Sequence, residues 1–128
     1  VVADVSRYWY NGTDWIAMSN GGDSPAPTVT ESTTGRTLSV SDAKTYIRFT
    51  NAGASTVTVA PQASETWTAD TEINLRSVGA GGLTIAAGAG VTLNAPSGGT
   101  LVMTEAMTVT IKRVASDVWD VIGQTVAL

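Results

Sequence analysis

The chain contains no cysteine and no histidine among its 128 residues. Without cysteine it can form neither a disulfide framework nor a thiolate metal site. Without histidine it lacks the usual general base and the commonest ligand of transition metals. Chemistry that depends on either residue is therefore excluded, and carboxylates are the acid–base groups that remain.

Charge is also scarce. Charged residues make up 14% of the chain, with seven basic and eleven acidic side chains and a net charge of -4, against roughly 25% charged residues in an ordinary soluble domain. Lys112 and Arg113 are the only adjacent basic residues. Because nucleic-acid affinity comes first from clustered lysine and arginine, we expect no nucleic-acid partner. So little charge implies a surface of small neutral residues, or a surface partly hidden against other subunits.

Long hydrophobic runs are absent, since no apolar stretch approaches the roughly 20 residues that span a bilayer. The first five residues contain Asp4 and lack the basic start and apolar centre of a signal peptide. We therefore expect no membrane insertion.

What the sequence does contain is a series of short apolar runs with a period of two. They lie at positions 38 and 40, 47 and 49, 57 and 59, 73 and 75, 83 and 85, 91 and 93, 107 to 111, and 119 and 121. Threonine often stands between the apolar residues, as in "TVTV" and "TVTI", which suits half-buried strands. Helix is predicted at most for one turn, with Ser41 as N-cap and Asp42 in the first turn. Runs spaced by about nine to ten residues predict an all-β fold, an antiparallel β-sandwich or a β-barrel-like module.

The segment "NGGDSPAPT", residues 20–28, interrupts this pattern and has the composition of a linker. Before it, residues 1–19 form an aromatic segment in which Asn11-Gly12 favours a type I′ turn, so residues 8–10 and 13–17 are predicted to form a hairpin. After it, residues 29–128 form the β-rich module.

The glycine-rich stretch "GAGGLTIAAGAGVTLNAPSGG", residues 79–99, raises the question of a phosphate-binding loop. Such a loop needs a helix after its glycines, whereas here each glycine group precedes a predicted strand, so the glycines are interpreted as corners. The units "GGLTIAAGAG" and "GVTLNAPSGG" resemble each other. They are compatible with stacked turns of a fibre or β-helix, or with adjacent strands of a sandwich, and the second interpretation is favoured.

Three groups of carboxylates qualify for inspection as glycosidase-type pairs: Asp117 with Asp120, Glu65 with Asp70 and Glu72, and Asp14 with Asp23. Asp117 is predicted to lie in a turn and Asp120 to face solvent. The loops "NGTD" and "NGGD" each supply one acid and lack the array that binds calcium. No catalytic, metal-binding or cofactor-binding residue is predicted.

Aromatic side chains cluster near the start of the chain, at Tyr8, Trp9, Tyr10 and Trp15. Aromatic patches are enriched at interfaces, and a hairpin with four rings needs a surface to pack on. These residues are the candidates for contact with a partner subunit or a glycan.

The segments "YIRFTN", "TVTVAP", "TEINLRSVGAGGLTIAAGAGVTL" and "TVTIKRVASDVWDVIG" occur in an order that resembles a β-rich module of tailed-bacteriophage virion proteins, of the tail-fibre and head-decoration type. The resemblance covers Gly35 to Gln124. It implies an all-β module, often trimeric, built into a virion. In such a trimer the strands either form a sandwich or barrel within each chain or wind with those of the partner chains about a threefold axis. The resemblance supplies no catalytic positions.

The expected function is accordingly that of a non-enzymatic virion protein, a homotrimeric capsid-decoration, head-fibre or fibre module on the exterior of the capsid or in the tail fibre. Its expected partners are the major capsid protein or other virion proteins, without a cofactor. The short chain favours decoration or a head fibre over a whole tail fibre. The alternative is a receptor-binding fibre tip that recognises a host surface glycan, and a depolymerase using Asp117 and Asp120 is a weaker hypothesis.

Overall fold

The structure, a computed structural model, describes residues 8–10, 15–17 and 25–128, and the regular secondary structure of these residues is almost entirely β-strand. One 3-10 turn is present at Val40–Asp42. The strands of the described residues are β1 (Tyr8–Tyr10), β2 (Trp15–Ala17), β3 (Thr28–Glu31), β4 (Gly35–Leu38), β5 (Tyr46–Phe49), β6 (Ser55–Val59), β7 (Glu72–Ser77), β8 (Leu83–Ala87), β9 (Thr92–Asn94), β10 (Val102–Met103), β11 (Thr108–Ala115) and β12 (Val118–Gly123). The expectation of an all-β chain is confirmed.

Two mixed sheets account for β3 to β12. The larger sheet has the order β3-β5-β7-β11-β12-β9, and the smaller sheet has the order β10-β8-β6-β4. From β3 to β8 the chain alternates between them, so that β3, β5 and β7 pair in parallel in one sheet while β4, β6 and β8 pair in parallel in the other. Each coil of chain thus adds one strand to each sheet, which is the connectivity of a parallel β-helix.

The expectation of antiparallel pairing is wrong for this coil. Parallel neighbours need a long crossover between them, and here the crossover is the strand that the chain contributes to the opposite sheet. The short corners therefore lead from one sheet to the other instead of reversing the chain into a hairpin. As a result, the units that contain β8 and β9 lie in different sheets, not side by side.

Antiparallel pairing appears where the coil ends. Strand β11 pairs with β7 on one side and with β12 on the other, and β10 pairs with β8. On its outer side β12 pairs in parallel with β9. A hairpin therefore extends the larger sheet beyond the last coil and carries Trp119 into the core.

Alternate residues of both sheets point into one hydrophobic core. The predicted alternation with a period of two is confirmed on β6, β7 and the first half of β11, where every second residue is buried. The buried apolar residues are Leu38, Ile47, Phe49, Val57, Val59, Ala60, Trp67, Ile73, Leu75, Leu83, Ile85, Met103, Val109, Ile111, Trp119 and Val121. The intervening threonines lie on the outer faces, as their β-branched, water-compatible side chains predict.

The glycines of the "GAGG" segment are corners between strands, as predicted. A Cβ on Gly79 would collide with the carbonyl oxygen of Asn51, and one on Gly81 would collide with the backbone of Gly53, so this corner stacks directly on the corner of the preceding coil. Gly82 adopts a φ of 79°. A strand follows instead of a helix, which leaves no helix terminus to hold a phosphate.

Four details differ from expectation. The N-cap of the 3-10 turn is Ser39, not Ser41, because the carboxylate of Asp42 accepts the backbone N–H of Ser39 at 3.0 Å. Val40 is exposed, since it belongs to this turn and not to a strand. Strand β3 starts at Thr28, inside the segment interpreted as a linker, and the short strand β10 has no counterpart in the sequence pattern.

The predicted hairpin near the start of the chain is present, since β1 and β2 pair antiparallel with Tyr10 opposite Trp15. The type I′ turn predicted at Asn11-Gly12 lies outside the described residues.

Candidate functional site

The four aromatic candidates, Tyr8, Trp9, Tyr10 and Trp15, come from this hairpin. The backbone register brings Tyr8 opposite Ala17 and Trp9 opposite Ile16. Their side chains are outside the description, so contact with a partner or a glycan stays a prediction.

The carboxylates of Asp117 and Asp120 serve two separate contacts. Asp117 lies in the turn between β11 and β12 at a φ of 58°, and its Oδ1 accepts the backbone N–H of Gln62 at 2.7 Å. Asp120 lies on the outer side of β12, where its Oδ1 accepts the Nδ2 of Asn94 at 2.9 Å. Each carboxylate binds a different local group, and the use of Asp117 and Asp120 as an acid–base pair stays a hypothesis.

The acidic group at residues 65–72 is likewise dispersed. Glu65 accepts the backbone N–H of Val40 at 2.6 Å through Oε1, whereas Glu72 pairs with Lys112 at 3.3 Å on the outer face of the larger sheet. Asp70 occupies a turn at a φ of 65°. Asp14 and Asp23, the third candidate pair, lie outside the described residues.

A fourth acidic group, Glu31 with Asp42, surrounds Arg36, a residue that the sequence analysis did not single out. Its Nη1 donates to Glu31 Oε1 at 2.8 Å and its Nη2 donates to Asp42 Oδ1 at 2.6 Å. The Asp42 side chain is only 5% exposed. Arg36 stands in an inward position of the edge strand β4, opposite Val57, so the three charges close the end of the first coil over the core.

Hydrogen bonding sets the ionisation of this cluster. The hydroxyl of Thr33 and then the guanidinium of Arg36 lower the pKa of Glu31 below its ordinary value. The hydrogen bond to Asp42 raises the pKa of Arg36. Both shifts favour the charged forms, which is the pattern of a structural ion pair.

Within residues 25–128 and the two short strands before them, no group of three acidic, histidine or cysteine side chains is placed to hold a metal ion. The same residues include no helix long and apolar enough to cross a membrane.

The outward face of the larger sheet, here called the charged face, is built of rows of side chains that run across the strands. One row contains Thr30, Arg48, Arg76 and Thr108, in register on β3, β5, β7 and β11. Arg76 Nη1 donates to Thr108 Oγ1 at 3.1 Å. A parallel row contains Tyr46 and Asn74, and Thr110 donates to Asn74 Oδ1 at 2.6 Å.

The outward face of the smaller sheet, here called the neutral face, carries no charged side chain among the described strands. Its members are Gly35, Thr37, Thr56, Thr58, Thr84, Ala86 and Val102. Val102 is 40% exposed. Side chains this small and uncharged leave the neutral face open to close approach by another surface.

The sequence analysis missed both faces, although the signal for them is present as threonine between apolar residues. The alternation shows which residues point outward, but only the pairing of β5 with β7 brings Arg48 beside Arg76, and that register is not visible in a single sequence.

Comparison with known proteins gives no further guide: no protein-family model, curated protein or solved structure matches this chain.

Proposed function

We propose that this chain is a non-enzymatic structural protein of a tailed-phage virion, a trimeric module that decorates the capsid or forms part of a fibre. The observation that carries the proposal is the neutral face, an uncharged outer surface of three parallel strands and β10 on a chain of net charge -4. The motif resemblance of residues 35–124 supports a place for this chain in a tailed-phage virion.

The use of the ionisable groups supports a structural role. Glu31 and Asp42 bind Arg36, Glu65 binds the backbone of Val40 and Asp117 binds the backbone of Gln62, so these carboxylates hold loops and corners to the coil. A coil whose charged side chains hold its own loops and corners is typical of a structural protein. A catalytic carboxylate of a glycosidase instead needs a second carboxyl group across a cleft.

The neutral face supports self-association. Copies of an acidic chain repel one another, so they approach most easily through surfaces without charge. Three copies with the neutral face turned toward a common threefold axis would cover Val102 and the threonine rows, and this burial would explain why so few charged residues are needed.

The proposal is tested by placing charge on the neutral face. We expect Thr56→Lys with Thr84→Lys, opposite each other on β6 and β8, to convert the assembly to monomers, because three copies would bury six ammonium groups near one axis. The matched control is Thr30→Lys with Thr110→Lys on the charged face, which should leave the assembly intact. A native mass that does not change in the first variant, or falls equally in both, would contradict the proposal.

A second candidate function is recognition of a host glycan at a fibre tip. It is favoured by the pairing of β1 with β2, which concentrates Tyr8, Trp9, Tyr10 and Trp15 on one hairpin. Aromatic rings stack on the apolar faces of sugars. Trp9→Ala with Trp15→Ala should abolish binding to host-cell glycans on an array, while Trp67, which is buried in the core, is not expected to contribute.

A further inference from the structure

Two arginines stand side by side on the charged face. Arg48 and Arg76 are direct partners in the register between β5 and β7, and their buried neighbours Ile47, Phe49 and Leu75 show that both point outward. Parallel strands lie about 4.8 Å apart. Two of the chain's seven basic residues therefore share one small area of surface.

Neither arginine has a carboxylate to neutralise it among the described residues. The ion pairs found there join Arg36 to Glu31 and Asp42, and Lys112 to Glu72. Glu72 is four residues from Arg76 along β7, about 13 Å away, and is already paired. Like charges directly opposite each other destabilise a sheet, so an anion bound between the two arginines would stabilise it.

Hydrogen-bonding groups extend the site in both directions. Thr30 and Thr108 flank the arginines in the same row, and Tyr46 and Asn74 lie opposite each other in the next row. Guanidinium groups bind carboxylates in a bidentate manner. The hydroxyl groups of Thr30 and Tyr46 suit the hydroxyls of a sugar chain, and the Tyr46 ring offers a stacking surface.

We propose that the row around Arg48 and Arg76 binds an acidic polysaccharide through its carboxylate groups. This inference rests on the second candidate function, glycan recognition, but assigns it to the sheet surface and not to the hairpin. It does not depend on trimer formation.

The test measures binding of immobilised protein to polygalacturonate, with neutral dextran and inorganic phosphate as comparison probes, at an ionic strength of about 0.05 M to limit screening. We expect polygalacturonate to bind, dextran not to bind, and Arg48→Gln with Arg76→Gln to weaken binding at least about tenfold, because two charge-assisted contacts are lost. The matched control, Lys44→Gln with Lys112→Gln, removes the same net charge and should change binding less than about twofold.

Stability separates a binding role from a structural one. Removing two like charges that face each other should leave the melting temperature of Arg48→Gln with Arg76→Gln unchanged or higher. A large fall would show that the arginines hold the fold and would overturn the inference, as would equal losses in the lysine control or phosphate binding as tight as polymer binding. Loss of polymer binding in Trp9→Ala with Trp15→Ala, but not in the arginine variant, would overturn the inference and keep the glycan function.

Discussion

At the scale of single residues, Gly79 and Gly81 of the stacked corners have no room for a side chain. The corner at residues 78–82 lies against the corner at residues 50–54, and Val78 and Gly79 both donate their backbone N–H to Phe49. A side chain at Gly79 would meet backbone atoms, which cannot rotate away as a flexible side chain can.

We therefore expect Gly79→Ala to lower the free energy of unfolding by about 2 kcal/mol, in the range of overpacked sites. Gly35→Ala is the matched control, because nothing lies within 4 Å of a Cβ at that position. Urea unfolding followed by tryptophan fluorescence measures both. Equal stability of the two variants would show that the corners do not stack as described.

Arg36 has a structural role as the cation that pairs with the buried Asp42. Replacing it with methionine would leave the buried carboxylate of Asp42 without its cation. We expect Arg36→Met to cost about 2 kcal/mol, below the full value for a buried pair because the arginine is partly exposed. Lys112→Met, which breaks only the exposed pair with Glu72, should cost about 0.5 kcal/mol or less in the same urea titration. A loss in Arg36→Met no larger than that in the lysine variant would count against a structural role for the cluster of Glu31, Arg36 and Asp42.

The lowered pKa of Glu31 makes the stability of this cluster depend on pH. The folded-state pKa of Glu31 is lowered below the ordinary value of 4.5 by Thr33 and Arg36. The resulting stabilisation is present above pH 4.5 and is lost as the pH falls through the lowered pKa. We expect Glu31→Gln to be less stable than the parent near pH 7, with the difference shrinking below pH 4.5. A difference that stays constant between pH 7 and pH 3 in thermal melts would contradict this assignment.

At the scale of elements, the loop at residues 60–71 contacts the β11–β12 hairpin. Asp117 holds the backbone of Gln62, and Trp67 packs edge to face on Trp119 with ring centroids 5.0 Å apart. The Nε1 of Trp67 donates to the carbonyl of Ala60 at 2.8 Å. The hairpin and the loop thus stabilise each other.

Asp117→Ala should destabilise the chain by about 1–2 kcal/mol, because it removes a hydrogen bond to the Gln62 backbone and places alanine at a positive φ. Asp117→Asn keeps an acceptor oxygen and tolerates that φ, so it should retain most of the stability. Thermal melts compare the two. If both variants were as stable as the parent but lost a sugar-releasing activity, Asp117 would be catalytic and not structural.

The strands themselves could be predicted from the sequence, but their partners could not. Alternating apolar residues at 47 and 49 or 57 and 59 identify strands by a local rule. The coil is set by non-local pairing, and its length varies: β5 and β7 pair at an offset of 28 residues, as do β6 and β8, while β3 and β5 pair at 18. The loop around Trp67 lengthens one coil, so the coils do not recur at a constant interval that a single sequence would show.

At the scale of the whole molecule, the two outer faces divide the surface by charge. The charged face carries Arg48, Arg76, Glu72, Lys112 and Asp120, and the neutral face carries threonine, alanine, glycine and valine. The low charge content of the sequence predicted that some surface would be neutral. It could not show that the neutral residues gather on one sheet, because that requires the strand order.

The measurement that tests the central claim most directly is the native mass of the purified chain, by light scattering or native mass spectrometry over a dilution series. The account predicts a stable species of three times the 13.1 kDa chain mass that becomes monomeric when lysines are placed on the neutral face. A monomer at every concentration, with the neutral face fully exposed, would contradict it.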